Sequence, residues 1–107
     1  MADYVERMVE GLARVLARAA AGRKAGRLAE ARAELAEAGA RIAGVDLELL
    51  DRLGPLAIAA HLDDRFRLEA LAALCQERAE LEAAGGDGPA AARWRSHAAS
   101  VRARLGA

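Results

Sequence analysis

The residues of this 107-residue sequence whose types and spacing bear on chemistry are one cysteine, two histidines and two groups of arginines. Cys75 falls among Leu71, Leu74 and Ala79 on what reads as the apolar face of a helix, so it is expected to be a small buried hydrophobe and not a nucleophile. His61 stands next to Asp63 and Asp64, and His-x-Asp-Asp is a conceivable start of a metal site. That spacing has little specificity, and a lone histidine before a helix cap is ordinarily just a polar residue. His97 lies among Arg93, Arg95 and Arg102, which repel a cation. Gly22-x-x-x-Gly26 lacks both the glycine count and the Lys-Ser/Thr ending of a phosphate loop, and no nucleophile elbow, dinucleotide fingerprint or paired-metal motif occurs. The expectation is a non-enzymatic protein with no catalytic residue, no metal and no cofactor.

The arginines are the stronger signal. Arg14, Arg18, Arg23, Lys24 and Arg27 form one run without an acid, and Arg93, Arg95, Arg102 and Arg104 form a second near the C-terminus. Nine such charges on a shared face would contact phosphates and bind nucleic acid in a salt-dependent way. The competing reading is that they are solvated helix faces paired with acids of neighbouring helices, with Arg18 and Arg23 also favoured by the dipole of a helix C-terminus. Only Trp94 interleaves the arginines as a base-stacking aromatic, and it falls on a core stripe. Pairing is therefore the preferred reading, and nucleic acid the alternative.

Composition fixes what kind of element positions these residues. Apolar residues are 54% of the chain and charged residues 30%, a globular balance, while Phe, Tyr and Trp occur once each. Ala, Leu, Arg and Glu dominate, and these lose little rotamer freedom in a helix, whereas strands want β-branched and aromatic residues. An all-α fold follows. Sixteen acids balance sixteen bases, so total charge points to neither nucleic acid nor a membrane. One cysteine allows no internal disulfide, no apolar run approaches the length of a membrane span, and the acidic, amphipathic N-terminus is unlike a signal peptide. The chain is expected to be cytoplasmic and to form one domain over 1–107.

Asp3 and Glu6 have capping-box spacing for a first helix ending near Ala21 or Gly22, with Val5, Met8, Val9, Leu12, Val15, Leu16 and Ala19 on one stripe and Glu10 able to pair with Arg14. Leu28, Ala31, Leu35, Ala38, Ile42 and Val45 alternate steps of three and four, which predicts a second helix, antiparallel to the first, over 28–45. Asp46 caps a short helix, Leu47 to Leu53, ended by Gly54; Pro55 opens a further turn through Leu62. This apolar stretch, 46–62, is expected to fold across one end of the hairpins as a plug or joint. Asp63 or Asp64 caps a long helix to about Ala84, and Asp87 starts a last one with Ala90, Trp94, Ala98, Val101 and Leu105 on its inner side.

Gly26 with Ala31, Leu35 and Ala38 resembles the turn and second helix of a tetratricopeptide (TPR) repeat, and Gly85, Ala90 and Trp94 repeat the first three elements, with His97 where a small residue belongs. The first helices carry Arg18 and Gly22 where that family has Leu and an aromatic, and the turns are about 60 residues apart against a 34-residue period, so the likeness is to TPR-type hairpins and not to a regular array. The order of parts, an Asp3-Tyr4-Val5 helix, an Arg23-Lys24-Ala25-Gly26-Arg27 turn, a Leu- and Asp-rich middle and a Gly-Asp hairpin, is similar to a family of short bacterial proteins of unknown function. That family brings no established activity with it; the hairpins themselves lead to the expectation of a compact bundle of about five helices acting as a protein–protein interaction module, an adaptor or self-associating scaffold. A short stack of hairpins leaves apolar surface at its ends, and a homodimer covers it at least cost. Tyr4, Met8, Val15, Trp94 and Val101 are the expected contact residues.

Overall fold

Three of the helices begin where an aspartate supplies an oxygen for their free amides. In the computed structural model, which describes residues 2–106, Asp46 accepts from the amides of Glu48 and Leu49, Asp64 from those of Phe66 and Arg67, and Asp87 from that of Ala90. Six α-helices result: α1 (Ala2–Lys24), α2 (Leu28–Ala38), α3 (Leu47–Leu53), α4 (Pro55–Ala59), α5 (Arg65–Ala84) and α6 (Gly88–Gly106). A π-helical turn, Gly39–Ala43, extends α2, and no strand occurs among the described residues. The fold class is all-α. Met1 and Ala107, at the ends of the 1–107 span, lie outside the described residues.

Two helical hairpins, α1–α2 and α5–α6, carry the bundle, and α5–α6 is the most extensive interface. Their turns share one hydrogen-bond pattern. The Arg27 amide donates to Gly22 O and the Gly26 amide to Arg23 O in the first; Asp87 donates to Glu82 O and Gly86 to Ala83 O in the second. This is a Schellman closure, and it requires a left-handed residue, supplied by Gly26 (φ 79°) and Gly86 (φ 82°). Gly85 keeps a right-handed conformation, so the second turn closes one residue later than a frame drawn from Gly85 expects.

Several boundaries differ from the sequence expectation for physical reasons. Asp3 lies inside the first turn of α1, which continues to Lys24, and Arg23 and Lys24 complement its C-terminal dipole. Gly22 is therefore helical, and its use is close approach: a β-carbon there would sit 3.4 Å from the Ala31 β-carbon. The 28–45 helix is regular only to Ala38. At Gly39 the ladder widens, with the amide of Val45 donating to Gly39 O at 2.9 Å, and Gly44 (φ 72°) ends it. A β-carbon on Gly39 would meet Val45 O and Leu47 Cγ at 2.9 Å, so the chain folds back against this turn only because residue 39 has no side chain.

One hydrophobic cluster runs through the bundle. Leu35, Ile42, Leu47, Leu50, Leu71, Leu74, Leu81, Trp94 and Val101 are all fully buried in it. The radius of gyration, 13.1 Å, is what a folded chain of this length should show. The middle stretch acts as a joint seated on the second hairpin: α4 packs against α6, and Leu47, Leu50 and Ala59 are buried.

Candidate functional site

The expected contact residues divide along the chain. Tyr4 is 59% exposed and Met8 half-buried, but Val15, Trp94 and Val101 are at most 2% exposed and face the core. Those three are removed from any contact surface. Trp94 and Val101 pack within the second hairpin, and for Val15 the reason is helix length: α1 spans 23 residues and α2 only 11, so the returning helix covers the C-terminal half of α1 and leaves much of the other half bare. On that bare half Val5 (54% exposed) and Val9 (48%) join Tyr4, beside the half-buried Met8 and Leu12. Tyr4, Val5 and Met8 also face Asp64, Phe66 and Arg67 at the start of α5 across a cleft of about 180 Å³. Leu49, Leu53 and Leu56 form a second exposed group around the α3–α4 corner.

The nine basic residues are partly consumed by ion pairs. Arg18 meets Glu34 at 3.6 Å, Arg23 meets Glu77 at 3.3 Å, Arg27 meets Glu30 at 3.5 Å and Arg93 meets Asp51 at 2.7 Å. A groove that draws on both clusters, with Arg23 and Arg102, also holds Glu77 and Glu80. For Arg14, Lys24, Arg95, Arg102 and Arg104 the described residues offer no carboxylate within 4 Å, and the expected Glu10–Arg14 pair is not formed.

Sequence reasoning missed a polar network between the hairpins. Arg78, 6% exposed, lies over the Trp94 ring at 4.8 Å, donates from Nε to Glu82 at 3.2 Å and from Nη1 to Glu48 at 3.0 Å. Arg32 reaches the same Glu82 oxygen from α2 at 2.9 Å. Next to it, Asp51 accepts from Arg93 Nε at 2.7 Å and Nη2 at 3.1 Å and lies 2.8 Å from His97 Nε2. Because a carboxylate only accepts, His97 carries a proton on Nε2. Its ring packs edge-on against Trp94, with centroids 5.2 Å apart. The network ties α2, α3, α5 and α6 together. One signal in the sequence pointed to it: His97 occupies a core position, and a buried imidazole needs a partner.

No protein family, curated protein or solved structure matches this chain. Its chemistry therefore rests on its own geometry. Burial pushes the Cys75 thiol up to about 12, which outweighs the opposing charges of Arg102 and Arg78 and keeps it a protonated, inert thiol at neutral pH. His61 is exposed after α4, and the neighbouring Asp64 carboxylate is used to cap α5. No helix among the described residues is long and apolar enough to cross a membrane.

Partial burial pushes the Asp51 carboxyl up, but the hydrogen bonds and charges of Arg93 and His97 together outweigh it and hold the carboxyl below its usual value. The unfolded chain then binds more protons than the native one just below the ordinary aspartate value of about 3.9. Asp51 thus contributes stability that is fully present above that pH and is lost as pH falls through the lower native value. Asp51→Asn is expected to flatten the acid limb of a stability-versus-pH curve measured by urea melts, and an unchanged limb would exclude this role.

Proposed function

We propose that the protein is a non-enzymatic interaction module on a TPR-like helical-hairpin scaffold, and that it self-associates through the bare N-terminal half of α1. The observation that carries this reading is the run of exposed apolar side chains Tyr4, Val5 and Val9, continuous with the half-buried Met8 and Leu12. A rigid helix face of this kind is suited to a second copy in a two-fold, self-complementary contact. Sixteen acids against sixteen bases leave no net charge to hold two copies apart. The two glycine-closed turns support a helical-hairpin scaffold, and the TPR-like part of the reading rests on the Gly26 turn with the buried Ala31, Leu35 and Ala38, since the second turn closes at Gly86 and not at Gly85. Binding of nucleic acid by the arginine clusters is less well supported, since four of the nine bases already meet carboxylates.

Size-exclusion chromatography with light scattering tests the reading. The wild-type chain is expected to rise from 11.2 kDa towards twice that mass with concentration, and Val5→Glu with Val9→Glu to stay at the lower value while keeping its melting temperature. Burying two carboxylates in an apolar contact costs several kcal/mol, enough to abolish a dimer of ordinary strength. A double variant that still dimerises would place the contact elsewhere.

A further inference from the structure

We propose that the cleft between α1 and the π-helical turn binds a small phosphate-bearing anion. Arg14 and Arg18, one helical turn apart on α1, converge with Arg41 of the π-turn on a cleft of about 360 Å³ whose remaining lining is Gly11 and Val15. That volume lies in the range of small-molecule sites. No acid lines it. Two arginines spaced i, i+4 repel one another and weaken a helix slightly, so their placement works against α1 unless an anion meets them.

Gly11 is the second, independent observation. It stands in the middle of a 23-residue helix, where glycine is less favourable than alanine because it loses more backbone freedom. Its φ is not positive, and a β-carbon there would meet nothing within 4 Å. Neither a turn nor packing calls for glycine at this position, in contrast to Gly22 and Gly39. What its missing side chain does is keep one wall of the arginine cleft open.

The arginines retain donors for a ligand. Arg14 has no carboxylate within 4 Å among the described residues; Arg18 meets Glu34 only at 3.6 Å; and Arg41 directs Nε and Nη2 to Glu37, leaving Nη1. Both acid partnerships are exposed pairs, weak in water, which a dianion can displace. Guanidinium forks match phosphate oxygens in pairs, which makes phosphate the chemistry best suited to this set.

The test is an NMR titration of the intact chain at low salt with inorganic phosphate, with glycerol phosphate and, separately, with a single-stranded oligonucleotide. Saturable shifts of the Gly11 amide and of the Arg14, Arg18 and Arg41 Nε–H signals are expected with the two small phosphates. Arg41→Gln should weaken binding about tenfold or more. Gly11→Leu should abolish it, and Gly11→Ala should weaken it while raising the melting temperature by a few degrees. Absence of saturable shifts, unchanged affinity in Gly11→Leu or Arg41→Gln, or saturation by the oligonucleotide alone would each overturn the proposal. Arg41→Gln changes an exposed side chain, so the test stands even if Gly11→Leu disturbs the fold.

Discussion

Trp94→Ala is expected to destabilise the protein by about 3–5 kcal/mol, the cost of removing a fully buried aromatic whose cavity cannot collapse. At roughly 4–8 °C of melting temperature per kcal/mol in a chain of this size, the midpoint falls by ~12 °C or more. Trp94 supports more than its own area. Its face carries the Arg78 guanidinium and its edge meets His97, so the variant strips the apolar support from two polar groups that lie deep in the bundle. Since small proteins have about 5–15 kcal/mol in total, a marginal member of that range would not remain folded. Thermal melts followed by far-ultraviolet circular dichroism measure this. A loss near 1 kcal/mol, the usual cost of a single substitution, would mean the ring is not held as described.

The second large effect is expected at Glu82. Its Oε1 accepts from both Arg32 and Arg78, and Arg78 is left with only Glu48, a residue with a 57% exposed side chain, if Glu82 is lost. Glu82→Ala leaves a buried guanidinium short of its counter-ion, and breaking such a pair from one side costs about 3–5 kcal/mol. Glu82→Gln keeps an acceptor oxygen and should cost distinctly less. Arg93→Ala, at the exposed edge of the Asp51 pair, should cost far less than Glu82→Ala. Urea denaturation with an unchanged slope would separate these cases. Equal losses for Glu82→Ala and Arg93→Ala would show that burial does not set the strength of the network.

What could be read from the sequence was local. Asp46, Asp64 and Asp87 announce three helix starts because a carboxylate oxygen two or three residues before an amide is a chemical fact of the chain, and Gly54-Pro55 announces a corner in the same way. The inner face of α6 was legible from its three- and four-residue steps. The π-turn was not, because widening the ladder by one residue leaves the apolar pattern from Leu35 to Ile42 intact. Apart from the Arg78–Glu82 pair at i, i+4, the network around Arg78 and Asp51 joins residues 30 to 50 positions apart, and beyond His97 at a core position no short-range pattern points to it.

The bare surface was half legible. Every apolar position on the α1 stripe looks equivalent in sequence, yet Val15 is buried and Val5 exposed. The difference comes from where a shorter partner helix ends. Likewise Trp94 and Val101 read in sequence as contact residues, but the second hairpin uses them to hold itself together.

The proposed self-association through α1 is tested most directly by amide hydrogen exchange followed segment by segment as protein concentration is raised. Residues 4–12 are expected to become progressively protected, while α6, already packed in the core, stays unchanged. If exchange over residues 4–12 is the same at every concentration, the N-terminal half of α1 is not where copies of this chain meet.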